Sequence, residues 1–175
     1  PTVTFSDVTA ANGCSSEGFI TRTWLATDHC GNSATCVQII SLDDSQAPAI
    51  TCPVNVTIEC TASTLPANTG TATATDNCAA IPVVTFNDVT TAGGCPQERT
   101  INRTWTATDG CGNSTACVQV IVVEDNTAPV ITCPANITIQ CGESTAPVNT
   151  GIATAIDGCD VSPIVTSADV TLGGG

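Results

Sequence analysis

The chain has 175 residues, three basic against sixteen acidic, a net charge of −13, and twelve cysteines; Met and Tyr are absent, and only two Trp and three Phe are present. Such an acid excess repels nucleic acid and anionic lipid and attracts divalent cations. No apolar run approaches a membrane span, the longest being 118–123 broken by Gln119.

The cysteines are periodic. Cys14, Cys30, Cys36, Cys52, Cys60 and Cys78 return, each 81 residues later, as Cys95, Cys111, Cys117, Cys133, Cys141 and Cys159, with Arg22 returning as Arg103 and Trp24 as Trp105. A fixed offset over every cysteine marks a tandem array of one module. An even number per repeat points to disulfides made in an oxidising compartment, extracellular or at the cell surface. Val, Ile, Thr and Ala punctuated by Gly, Pro, Asn and Asp is strand-and-turn composition, and no helical periodicity is evident. No signal peptide opens the chain, which reads as a mature or internal segment.

In chain order, the acidic tracts Asp43-Asp44-Ser45 and Glu124-Asp125-Asn126, each followed by Ala-Pro, mark linkers. One complete repeat therefore occupies 46–126, residues 1–45 are the C-terminal part of a preceding repeat, and 127–175 the N-terminal part of a following one. This division suits either a slice of a longer chain or a subunit whose half-repeats complete each other across a polymer. Within 46–126, strands are expected at 49–52, at 55–60 after a break at Pro53, at 70–75 and at 83–89. A Gly-rich loop follows through Gly93-Gly94-Cys95-Pro96. A hairpin of 100–108 and 115–123 then turns around 109–113. Strand 100–108 alternates Asn102, Thr104 and Thr106 with Ile101, Arg103, Trp105 and Ala107, a wet face and a core face. Gly173 to Gly175 read as a turn. Seven or so short strands in such a module indicate a two-sheet sandwich.

The segments APAITCPVNVTIEC, TATATDNC and TRTWLATDHCGNSATCVQ resemble the hyalin repeat (HYR) family. The resemblance runs through the whole chain and implies tandem immunoglobulin-like β-sandwich domains with an adhesive or matrix role outside the cell, similar to bacterial multi-repeat surface proteins.

Six cysteines per repeat allow fifteen connectivities. Sandwich topology favours three disulfides per repeat: Cys52–Cys117, with the first strand beside the last; Cys60–Cys95 at one end; and Cys78–Cys111 at the other. Cys14, Cys30, Cys36, Cys133, Cys141 and Cys159 then pair outside the chain or across subunits. Zinc and thiol–disulfide redox chemistry lack support, since there is no Cys-x-x-Cys and a single histidine, His29.

Asp43, Asp44, Asp76 and Asp109 are expected at one end of the domain, and Glu124, Asp125 and Asp157 repeat the pattern. Calcium takes six to eight oxygens, and such a junction is a candidate calcium site that stiffens the array. No other cofactor is expected. Asn55, Asn102, Asn113 and Asn136 each open an Asn-x-Ser/Thr triplet and are candidate glycan acceptors. Arg103 is expected along Trp105, paired to Asp88 or Glu98. No nucleophile and base recur with the period, so the chain is not read as an enzyme.

These features point to a structural extracellular tandem-repeat protein: a stiff, disulfide-stapled stalk or filament. Its partners are neighbouring copies of the same repeat, in one chain or across subunits, with no nucleic acid and no membrane insertion. The alternative is a calcium-dependent adhesin module binding glycan or protein through loops at one end; the loop at 78–81 carries no aromatic residue to support that.

Overall fold

A computed structural model describes residues 1–12, 14–78 and 81–170. The predicted glycine turn at 173–175 and part of the 78–81 loop lie outside the described residues. Strands dominate. β1 (Thr2–Asn12), β2 (Cys14–Thr27) and β3 (Ser33–Leu42) form an antiparallel sheet in that order. Its register sets Phe5, Trp24 and Cys36 in one row and Asp7, Arg22 and Gln38 two rows along, on the same face.

The following stretch is β4 (Ala49–Thr51), β5 (Val56–Glu59), α1 (Pro66–Thr69), β6 (Thr73–Thr75), β7 (Val83–Ala92), β8 (Arg99–Thr108) and β9 (Ser114–Glu124). β4 pairs with β6, and the larger sheet has the order β5-β9-β8-β7. The pattern then restarts with β10 (Val130–Thr132), α2 (Pro147–Thr150) and β11 (Thr154–Ile156). The β10–β11 register, Val130 opposite Ile156, is the β4–β6 register, Ala49 opposite Thr75, moved on by one period.

Two expectations are corrected. The chain is not helix-free: α1 and α2 are single turns of four residues, too short to leave a periodic signature. Nor does the first strand run beside the last. β4 pairs with β6, and it is β5, beyond Pro53, that lies parallel to β9, Val56 opposite Ile121. Proline has no N–H to donate, so the break at Pro53 ends one pairing before the next begins. Gly70 closes α1 with φ 102°, and a Cβ there would meet the Pro53 Cβ at 2.8 Å, so glycine is needed for both reasons.

β8 alternates as expected. Ile101, Arg103, Trp105 and Ala107 are buried, whereas Asn102 is exposed. The chain divides into two compact units, each discontinuous in sequence. One comprises 1–55, 66–89 and 102–120, and the other 56–65, 90–101 and the residues from 121 onward. In the first, Trp105 packs on Phe86 with ring centroids 5.1 Å apart. In the second, Ile101, Ile121 and Val123 form a small core joined by Val56, Ile58 and Cys60. That is little apolar burial, and covalent links fill the deficit.

Candidate functional site

Three disulfides are formed: Cys14–Cys111, Cys52–Cys117 and Cys60–Cys159, with Cα separations of 5.0, 6.0 and 5.8 Å. Cys52–Cys117 is the pair chosen from topology, though β5 rather than β4 is the neighbour of β9. The other two expected pairs do not form. Cys60 directly follows β5, on one edge of the β5-β9-β8-β7 sheet, and Cys95 lies in the turn joining β7 to β8, the two strands beyond β9. Strands sit about 4.8 Å apart, so two or more strand spacings exceed the roughly 7 Å that a disulfide bridges. Cys95 instead donates its N–H to Glu98 Oε2 in an exposed turn.

Cys111 is taken by Cys14, and the Cys78 thiol hydrogen-bonds the Asp44 carboxylate. Burial, that hydrogen bond and the nearby carboxylates of Asp44, Asp76 and Asp109 push the Cys78 thiol up from its ordinary pKa. Cys14 and Cys159, expected to pair elsewhere, are thus bonded within this chain. Cys30, Cys36, Cys95, Cys133 and Cys141 carry free, exposed thiols.

The backbone places Cys30, Cys78, Cys111 and Cys159 through the Asp-x-Cys pattern. Asp109 Oδ1 accepts the N–H groups of Cys111 and Asn113, and Oδ2 accepts Asn113 Nδ2. Burial alone would raise the Asp109 pKa, but the Asn113 amide and the backbone donors outweigh it, and the carboxyl sits below its usual range. Asp28 repeats this turn through Cys30 and Asn32, and Asp157 caps Cys159 and Asp160. Asp28 and Asp157 are likewise lowered by the hydrogen bonds they accept. His29 lies in the exposed turn beside Asp28.

Of the seven predicted calcium ligands, the structure brings Asp44 and Asp76 together with Cys78, one ligand atom of each within 4.8 Å of the others. Asp44 is only 5% exposed, and its Oδ1, like Asp76 Oδ2, is buried with no hydrogen-bond partner. Asn113 Nδ2 fixes this corner by donating to the Asp44 carbonyl at 2.8 Å. Asp109 is adjacent, but its oxygens are committed to its own loop, and Asp43 is exposed.

Asp125 groups with Glu59 and Cys159, but the Cys159 sulfur is already bonded to Cys60. Glu124 accepts from Asn126 Nδ2, and Asp157 Oδ2 is a further buried oxygen without a hydrogen-bond partner. Glu59 escaped sequence reasoning because only the parallel β5–β9 pairing sets it opposite Glu124.

Arg103 donates to Asp88 through Nε and Nη2, both at 2.8 Å, and to Thr69 Oγ1 through Nη1, and it stacks 4.6 Å from the centre of the Phe86 ring. Gln119, fully buried, donates to the carbonyls of Val54 and Thr69, and Asn55 Oδ1 accepts the Val120 N–H. Among the glycan candidates, Asn55, Asn102 and Asn136 are exposed. Asn113 differs: its amide nitrogen donates to both Asp44 and Asp109, and a sugar there would replace one of those two N–H donors.

Among the described residues, no helix is long and apolar enough to cross a membrane. Searches against protein-family models and against curated proteins return no match for this chain.

Proposed function

We propose that this chain is a structural, extracellular tandem-repeat protein whose immunoglobulin-like modules form a stiff stalk or filament. One observation carries the reading. Two of the three disulfides join residues 97 and 99 apart, farther than the 81-residue period, so each ties one repeat to the next. The third, with a separation of 65, falls inside a repeat. A bond inside a domain stabilises that domain, whereas a bond between repeats limits how far neighbours separate under load. Disulfides also call for an oxidising environment. Single-molecule stretching of the oxidised chain tests the proposal, through the length at which the molecule becomes taut.

A second reading, the calcium-dependent adhesin, draws on the buried Asp44 Oδ1 and Asp76 Oδ2, which lack hydrogen-bond partners. A divalent cation there would relieve two buried acceptors at once. Two carboxylates are fewer oxygens than calcium takes, so carbonyls and water would complete the shell. Melting the chain with calcium and with EDTA tests it: equal melting temperatures remove this reading.

A further inference from the structure

The three disulfides differ in the charge around them. A Glu17 carboxylate oxygen lies within 4.8 Å of both Cys14 Sγ and Cys111 Sγ. Carboxylate oxygens of Glu59 and Asp125 lie within the same distance of Cys159 Sγ, and Glu59 directly precedes Cys60, the bonded partner of Cys159. The Asp-x-Cys turns add to this, since Asp109 and Asp157 accept the N–H groups of Cys111 and Cys159. Both carboxyls sit below their usual pKa range. Burial opposes this at Asp109 and the donated hydrogen bonds prevail, while at Asp157 the Asp160 and Cys159 amides lower it.

Cys52–Cys117 has no such surroundings. Cys52 follows Ile50-Thr51, Cys117 follows Thr115-Ala116, and among the described residues no carboxylate groups with this pair. Exposure does not make the difference, since Cys14, Cys52, Cys60, Cys111 and Cys117 are all half-buried. The three arginines of the chain are engaged elsewhere, with Asp7, the Gln97 carbonyl and Asp88.

Charge controls how a disulfide is opened. A reagent thiolate attacks one sulfur, a mixed disulfide forms, and the electron pair of the broken bond leaves on the other sulfur as a thiolate. A second reagent thiolate resolves the mixed disulfide. Two reagent thiolates are thus oxidised to one reagent disulfide, and the two protein sulfurs take up protons from water. Each attack brings negative charge up to the bond, and each leaving sulfur develops it. A neighbouring carboxylate opposes both.

We propose that Glu17 at Cys14–Cys111, and Glu59 with Asp125 at Cys60–Cys159, form an electrostatic guard that keeps anionic thiols from reducing these two bonds, and that Cys52–Cys117 lacks it. The guarded bonds are the two that span more than the 81-residue period. An anionic reductant is thereby turned away from the links between repeats and not from the staple within one.

The test treats the oxidised full-length chain, its free thiols first alkylated, with three small thiols that differ in pendant charge at neutral pH: mercaptoethanesulfonate (anionic), mercaptoethanol (neutral) and cysteamine (cationic). Initial opening of each bond is read by differential alkylation and peptide mapping. Each rate is divided by that of the same reagent on an uncharged small disulfide. A unit charge about 6 Å from a carboxylate in water alters a rate about threefold. The cationic thiol should therefore be favoured over the anionic one about tenfold at Cys14–Cys111 and Cys60–Cys159, and much less at Cys52–Cys117. In molar salt, where the screening length is about 3 Å, the preference should vanish. Glu17→Gln should cut the preference about threefold at Cys14–Cys111 alone, and Glu59→Gln should do so at Cys60–Cys159 alone. Equal preferences at all three bonds, or a substitution that leaves the preference of its own bond unchanged, overturns the proposal. If Cys52–Cys117 proves inert, the two substitutions decide. A chain that shows the guard but stretches freely loses only the mechanical reading.

Discussion

The disulfides make a quantitative prediction about stretching. In the oxidised chain the shortest covalent route from end to end uses all three bridges in series. It runs from residue 1 to Cys14, crosses to Cys111, follows β9 to Cys117, crosses to Cys52, follows β5 to Cys60, and crosses to Cys159 before leaving. That is about 43 residue steps, which at ~3.5 Å each, plus the three bridge spans, limits the taut length to about 170 Å. The reduced chain has no such short-cut and reaches about 610 Å on the same basis. Removing only the middle bridge, in a Cys52→Ser/Cys117→Ser variant, forces the route along one of the long arms and gives about 270 Å. Optical-trap or force-microscope stretching of end-tethered single chains, with remaining thiols alkylated, measures these lengths directly. An oxidised wild-type chain that extends well past 200 Å before rupture would refute the serial arrangement and with it the mechanical reading.

Four further outcomes are expected. The Cys52→Ser/Cys117→Ser variant should lose about 4 kcal/mol of stability in the chain-entropy model for a loop of this size, measured by denaturant unfolding of the oxidised protein. Arg103→Ala should cost about 3 kcal/mol, because it removes the ion-pair partner of Asp88 and a buried donor to Thr69 Oγ1, whereas Arg22→Ala, at the more exposed counterpart, should cost much less; paired melts decide. Asp28, Asp109 and Asp157 have folded-state pKa values below the unfolded value, so their contribution is fully present above roughly pH 4 and is lost as pH falls through the lower folded values; an acid titration should show stability declining only there. If the acidic corner holds a cation, Asp44→Asn should abolish any calcium-dependent rise in melting temperature, and a rise that survives the substitution places the ion elsewhere.

The sequence by itself determined the period, the strand content, the alternating faces of β8 and the Asp-x-Cys turns, because each depends on residues near one another in the chain. It also placed Arg103 on the Trp105 face, since period two fixes which side chains share a side. Which cysteine meets which was decided only by tertiary structure. Spacing leaves many pairings open, within a repeat and between one repeat and the next, so it cannot separate Cys60–Cys95 from Cys60–Cys159. Strand order does separate them: inserting β9 and β8 between β5 and β7 moves Cys95 out of reach of Cys60. The acidic corner followed the same logic. Asp44 and Asp76 were chosen from the sequence, but only folding buried two of their oxygens without hydrogen-bond partners and spent Asp109 on its own turn. Local chemistry is written along the chain, while contacts that close long loops depend on which strand lies beside which.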